Sequence, residues 1–413
     1  MKFRRLLGGA FARTSSWSAA AVGVSAITGI VTARVLGPES RGSLALVLSI
    51  AGLSVLLGAL GTNVSVRRHL PRVDGPNTRG YELLTMWLVL PVLAVLALAV
   101  ALAGPFIGTT FLHWSTIAAF VTYGLVLYVS NQLLDYLNAV GHVARSAKIN
   151  AAGSFVCMLF VATAGLSGGG VVLIIYCYAA SVTVQVVLSI RAISALGVRS
   201  NESARGQRVL LADGVRLLGL NLGQNLTYRA DSVFLGALAS SSQVGIYAVA
   251  ITPAGLLRIP ANALGQLSFF AVAKTGGNRR SVHRRLALLL VVLLPVAAVG
   301  WLLAPIVLPL VYGVDFADSV GPLRLLLLAE LCLVPFLVLS RALAARGSAW
   351  RASGAGIVGL VVLVVACLIL IPGRGAAGAA LASVFAYATM SAVALVFSLL
   401  EGRREAQDGE IDM

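Results

Sequence analysis

The sequence predicts an all-α polytopic membrane protein with about twelve transmembrane helices in two six-helix bundles. Three observations predict it. Of the 413 residues, 59% are hydrophobic and only 11% charged, where a soluble domain carries about a quarter charged residues, so a water-facing surface cannot be built from what is present. The apolar residues come in long unbroken runs with 43 Gly and few aromatics; an outer-membrane barrel would instead alternate over ten-residue segments. The 31 Lys and Arg collect between those runs, as cytoplasmic connections require. Disorder is excluded because there is too much apolar surface to leave in water.

About 20 apolar residues make one crossing. The first two fall at 15–36 and 43–66, divided by the Gly-Pro at 37–38. Three more follow at 82–104, 115–140 and 148–167, and the Gly-Gly-Gly at 168–170 separates the last of these from 170–193. A polar stretch, 194–209, is the longest mid-chain connection and the natural linker between an N-terminal bundle, 1–193, and a C-terminal bundle, 210–413. The second half reads 210–237, then 243–272 with kinks expected at Pro253 and Pro260, then 283–304 and 320–345. It closes with 350–371 and, past the Pro-Gly at 372–373, with 376–400 and a short tail.

Placing the N-terminus inside puts 25 of the 31 basic residues in cytoplasmic connections, among them Arg67, Arg68, Arg145, Lys148, Arg199, Arg205, Arg280 and Arg346. The remaining six are Arg34, Arg41, Arg229, Arg258, Arg324 and Arg374. Both termini are therefore expected in the cytoplasm, in the cytoplasmic (inner) membrane. The formal net charge of +16 is explained by this bias, so no nucleic-acid partner is expected. No cleavage site follows the basic stretch 1–13, so no removable signal is read. Cys157, Cys177, Cys332 and Cys367 lie in apolar runs without CxxC spacing and read as small core residues.

The halves resemble each other. Val35-Leu36-Gly37 followed by Arg41-Gly42 aligns with Phe234-Leu235-Gly236 followed by Val244-Gly245. Leu137-Asn138-Ala139-Val140-Gly141 with Arg145 aligns with Leu343-Ala344-Ala345-Arg346-Gly347 with Arg351. Six crossings separate the copies, so the repeat is parallel and its axis runs along the membrane normal.

Ala33-Arg34-Val35-Leu36-Gly37-Pro38-Glu39-Ser40-Arg41-Gly42 resembles the first hairpin of the oligosaccharide flippases, the polysaccharide transport branch of the multidrug/oligosaccharidyl-lipid/polysaccharide (MOP) exporter superfamily. Tyr228-Arg229-Ala230-Asp231-Ser232-Val233-Phe234-Leu235-Gly236 and Val244-Gly245-Ile246-Tyr247-Ala248-Val249-Ala250 are similar to that family's seventh and eighth helices, and Leu310-Val311-Tyr312-Gly313-Val314-Asp315-Phe316 to its ninth-to-tenth connection. The resemblance implies two bundles in a V around a cavity that opens alternately to either side. It implies a cargo, a polyprenyl-pyrophosphate-linked glycan, and partners such as a polysaccharide polymerase or glycosyltransferases. The multidrug branch has the same span number and remains the alternative.

Ionisable groups within the spans are the candidate functional residues, because each costs several kcal/mol there unless a cavity or a partner receives it. Arg258, beside Pro260, can offer its planar fork to a phosphate; alternatively it pairs with a buried carboxylate such as Asp231 or bonds carbonyls freed by the proline. Asn221, Asn225 and Arg229 recur every fourth residue and form one polar stripe; Asp231, two residues on, can tie its helix to a neighbour. Arg34 either contributes to cargo binding or snorkels to the interface. Glu330 and Asp135 can carry a proton or cation. Asp135 and Arg341 lie at equivalent depth in the two halves and can form an inter-half gating pair; otherwise each meets a local partner.

No enzyme, cofactor or metal is expected. No connection is large enough to present catalytic acids in water, as a glycan polymerase requires, and Asp315 and Asp318 are the only acids of their outer connection. No GxxxxGK[ST] phosphate loop occurs, and His69, His113, His142 and His283 lack metal-ligand spacing. Transport then draws on an ion gradient, the membrane potential or mass action.

Overall fold

Long Leu, Val and Ala runs leave the backbone one way to satisfy its own N–H and C=O groups in lipid without a closed barrel, and that is the helix. The computed structural model describes residues 2–69, 78–107, 113–196, 204–275 and 279–411. In chain order the helices are α1 (Lys2–Gly58), α2 (Thr62–His69), α3 (Thr78–Trp87), α4 (Val89–Ile107), α5 (Trp114–Ala139), α6 (Val143–Leu166) and α7 (Val171–Ser194). They continue with α8 (Ala204–Leu238), α9 (Ser241–Ala254), α10 (Arg258–Thr275), α11 (Arg279–Tyr312), α12 (Val320–Ala345) and α13 (Ala349–Ile411).

Among the described residues, nine helices are long and apolar enough to cross a membrane. The apolar parts of α1 and α13 run to 43 and 52 residues, roughly 65 and 80 Å of helix against a core of about 30 Å, so each must fold back. They do so at glycines. Gly37 (φ 69°, ψ 177°) and Gly375 (φ 52°, ψ −128°) leave helical geometry, in a left-handed region that side chains avoid. Pro38 then starts the second arm of α1, where a missing N–H costs nothing. The second α13 arm returns so tightly that Gly378 lies against the Leu370 carbonyl. α8, 35 residues long, is long enough to cross but is not among these nine apolar helices.

Several boundaries differ from the sequence reading for physical reasons. The second pass ends at Gly58, not 66, because Leu60 (φ 48°) and Gly61 (φ 70°) turn the chain before α2 begins. The third pass is two helices, α3 and α4, meeting at Leu88. The expected kinks at Pro253 and Pro260 resolve into one 3-10 turn, Gly255–Leu257; Pro253 sits in the last turn of α9, and Pro260 falls in the first turn of α10, where proline is tolerated. The final break lies at Gly375, not at Pro372-Gly373, since Pro372 stays inside α13. Of the linker 194–209, residues 197–203 lie outside the described part, and Ala204 onward is already α8. Arg199, expected in a cytoplasmic connection, is among the residues outside it.

The chain divides into two compact units, Met1–Leu218 and Gly219–Met413. In the first, α1 packs on α4, α5, α6 and α7, and α7 on α5 and α6. In the second, α12 is the central helix, touching α9, α10, α11 and α13. α11 instead turns Leu288, Val291, Val292 and Leu302 outward, as a lipid-facing helix should.

Candidate functional site

The polar interior of the second unit is assembled from residues spaced to share helix faces. Tyr228 and Asp231 on α8 are three apart, and Ser383 and Tyr387 on α13 are four apart, so each pair projects to one side. Arg258 opens α10 directly after the 3-10 turn. Its Nε donates to both Glu330 oxygens, at 2.7 and 2.6 Å, and its Nη2 lies 2.5 Å from Oε1. Nη2 also donates to the Tyr387 hydroxyl at 3.1 Å. The guanidinium carbon stands 4.8 Å from the Tyr228 ring centroid and 5.6 Å from that of Tyr387, within cation–π range. The Glu330 side chain is wholly buried and that of Arg258 is 20% exposed.

One turn away lies a second cluster without a cation. Asp231, fully buried, accepts from the Tyr247 hydroxyl at 2.5 Å, the Ser383 hydroxyl at 3.2 Å, and the Ser232 amide and hydroxyl at 2.6 and 3.2 Å. Four donors on two oxygens satisfy a buried carboxylate about as fully as neutral groups can. This joins α8, α9 and α13, the tying role read from the sequence. Toward the C-terminal end of α12, Arg341 donates to the Asn262 side-chain oxygen at 3.1 Å. Gly265 makes room there: a Cβ on it would stand 2.7 Å from the Leu337 carbonyl and 2.8 Å from the Arg341 side chain.

In the first unit, Asp135 is ion-paired to Arg67, with side-chain exposures of 10% and 53%. Beside it, Gln132 accepts from Tyr81 through both its backbone and side-chain oxygens and donates to Thr62 at 3.0 Å. Ser130 donates to Gln185 at 3.0 Å. Arg41, one turn past the Gly37 break, is buried.

The structure bears on four sequence expectations. The carboxylate meeting Arg258 is Glu330, not Asp231, because Asp231 turns toward Tyr247 and Ser383. Asp135 and Arg341 each have a partner within their own unit, Arg67 and Asn262, the alternative the sequence left open. The polar stripe of α8 does not turn inward as a set: Arg229 is exposed and Asn225 half-buried, while Asn221's side chain lies outside the described residues. The ladder that does turn inward is one position earlier, where Gln224 donates to the Tyr228 hydroxyl at 2.9 Å. Glu330, read as a residue that can carry a proton or cation, is ion-paired with Arg258. Arg34 is exposed, as snorkelling requires. Sequence reasoning missed Tyr228, Tyr247, Ser383 and Tyr387; the spacings three and four were visible, but which face turns inward was not.

Among the described residues, no three His, Cys, Asp or Glu side chains gather as metal ligands. The arrangement offers instead a cation neutralised by one carboxylate, a carboxylate saturated by hydroxyls, and a second cation, Arg341, held by a neutral amide.

Residues 11–270 match the family model described as polysaccharide biosynthesis protein. No curated protein sequence matches the chain. Among solved structures, a lipid II flippase in an inward closed conformation aligns with TM-score 0.77 at 11% identity, covering 94% of this chain and 87% of that one. An inward-facing multidrug resistance transporter of the MOP superfamily aligns with TM-score 0.68 at 16% identity over 92% and 93%. A MOP superfamily transporter from Pyrococcus furiosus, described as having a binding pocket of reverse polarity, aligns with TM-score 0.59 at 17% identity over 95% of both chains. The fold is thus that of the MOP transporters.

Proposed function

The chain belongs to the polysaccharide biosynthesis protein family, and on that premise we propose that it moves a polyprenyl-pyrophosphate-linked oligosaccharide across the cytoplasmic membrane, from inner to outer leaflet, by alternating access. It is a transporter, not an enzyme, and hands its cargo to glycan-assembling partners such as a polymerase or glycosyltransferases. Arg258, Arg341, Arg229 and Arg34 are the cargo-facing candidates, with Asn221 and Asn225 beside them. Asp231 is the candidate for ion coupling.

The observation that carries this reading is where the buried charge is left over. Asp135 and Glu330 each hold an arginine, and Asp231 is saturated with donors. No carboxylate of this set is left to receive a cationic drug. Among the described residues Arg341 bonds only a neutral amide, and the Nη1 of Arg258 donates to none of them. Guanidinium groups with open donors fit phosphate oxygens. The multidrug reading keeps a place because a solved multidrug transporter shares the fold.

A deletion strain separates the two. Glycan-lipid is expected to accumulate in the cytoplasmic leaflet, measured by its protection from an externally added glycan-modifying enzyme. Unchanged glycan-lipid together with new dye or drug sensitivity would overturn the flippase and favour the multidrug exporter.

The orientation has its own test. Both termini and the 194–209 linker are proposed to be cytoplasmic, so Ser200→Cys on a cysteine-free background is expected to resist an impermeant thiol reagent in intact cells and to react after lysis. Labelling of intact cells would invert the topology.

A further inference from the structure

Arg41 differs from the arginines that bond polar groups on neighbouring helices. Arg67 and Arg258 have carboxylates, and Arg341 has an amide oxygen. Arg41 is only 9% exposed, its Nε is enclosed without a hydrogen-bond partner, and no carboxylate among the described residues pairs with it. Glu39, two residues earlier, is exposed. Its Nη2 lies 3.8 Å from where a Cβ on Gly29 would stand, so the side chain runs along α1 toward the first arm. A guanidinium largely withdrawn from water without a counter-charge is costly.

The internal repeat shows that the fold does not need this charge. The residue aligned with Arg41 in the second half is Val244, which is completely buried, so a β-branched aliphatic side chain fills the corresponding position there. Arg41 also lies in the first turn of the second α1 arm, where the helix dipole adds to its positive potential. A helix start and a buried unpartnered guanidinium together favour an anion.

We propose that Arg41 is a phosphate-binding residue of the first unit, and that its ligand is the phosphate of a lipid-linked cargo. The phosphate-bearing ligand deepens the transport reading above and rests on it. In that reading Arg41, one turn past the end of the first outward pass, belongs to the outer half of the membrane. It receives phosphate late in the transport cycle.

Arg41→Val copies the repeat and tests this. The full chain is purified in nanodiscs of zwitterionic lipid, and thermal unfolding is followed with added inorganic pyrophosphate, with polyprenyl pyrophosphate in the bilayer, or with phosphatidylglycerol in the bilayer. Arg41→Val is expected to be at least as stable as the wild type without ligand, because a buried uncompensated charge is gone. Its affinity for pyrophosphate is expected to fall about tenfold to a hundredfold, the range for one or more charge-assisted bonds. A response to phosphatidylglycerol equal to that for polyprenyl pyrophosphate would assign the ligand to bilayer headgroups and overturn the cargo assignment.

Three other results overturn the proposal: Arg41→Val markedly less stable than wild type, a pyrophosphate response that survives the substitution, or no response of the wild type to any probe. Failure here leaves the deletion-strain assay to judge the transport reading independently. Conversely, Arg41-dependent pyrophosphate binding with normal glycan-lipid in that strain would keep the site and remove the cargo.

Discussion

Arg258→Ala is expected to cost about 3–5 kcal/mol of stability, the usual penalty for stranding one partner of a buried ion pair. Glu330 would be left ionised at a position with no exposed side chain. Glu330→Ala should cost less, because Arg258 keeps the faces of Tyr228 and Tyr387 and a fifth of its surface in contact with solvent. The asymmetry is the informative part. Replacing both residues, as Arg258→Gln with Glu330→Gln, is expected to restore most of the loss, since removing a whole buried pair is often nearly neutral. Thermal unfolding of the purified single and double variants measures the coupling. Equal, small losses for both single variants would show that the pair contributes nothing to the fold. Export by the stable double variant, normalised to folded protein, then reads the role of Arg258 in cargo binding apart from its role in packing.

Asp231→Ala is expected to cost about 2 kcal/mol, because the Tyr247 hydroxyl loses its short bond in a fully buried site, a loss of about 1–3 kcal/mol, while Ser383 keeps the Ala379 carbonyl and Tyr247 only the longer contact to Ser383. Asp231→Asn keeps a carbonyl acceptor of the same shape and should cost about 1 kcal/mol. Tyr247→Phe, which removes one donor and leaves three, should fall near the same value. The two aspartate variants also separate packing from ion coupling. If Asp231 binds the coupling ion, Asp231→Asn will be folded and inactive, whereas a purely structural aspartate will leave it folded and active. An Asp231→Ala protein as stable as wild type would refute the structural account of the cluster.

The helix passes were legible because membrane burial is a property of composition over about 20 residues, and no tertiary contact is needed to read it. Gly37 and Gly375 illustrate the limit. The first break was visible in Gly37-Pro38, since proline both ends and starts helices. The second was displaced by three residues from Pro372-Gly373, because in a tightly packed hairpin the turn goes where backbone approach allows it, at Gly375 beside Gln243, whose side chain accepts from the Ala376 amide at 2.9 Å. Likewise the kink between Pro253 and Pro260 was foreseen, but the 3-10 turn between them, which delivers Arg258 to Glu330, was not.

By itself the sequence determined the all-helical membrane class, the resemblance to the polysaccharide transport family, and that Arg258, Asp231, Glu330 and Asp135 are the charges that need explaining. Tertiary structure decided which of them neutralise one another. The reason is physical: hydropathy and periodicity act along one helix, while an ion pair such as Arg258–Glu330, 72 residues apart in sequence, depends on how α10 and α12 are rotated about their axes. That rotation comes from packing, such as Gly265 against Leu337. Packing within the first unit likewise leaves Arg41 buried, at a position whose repeat counterpart is Val244.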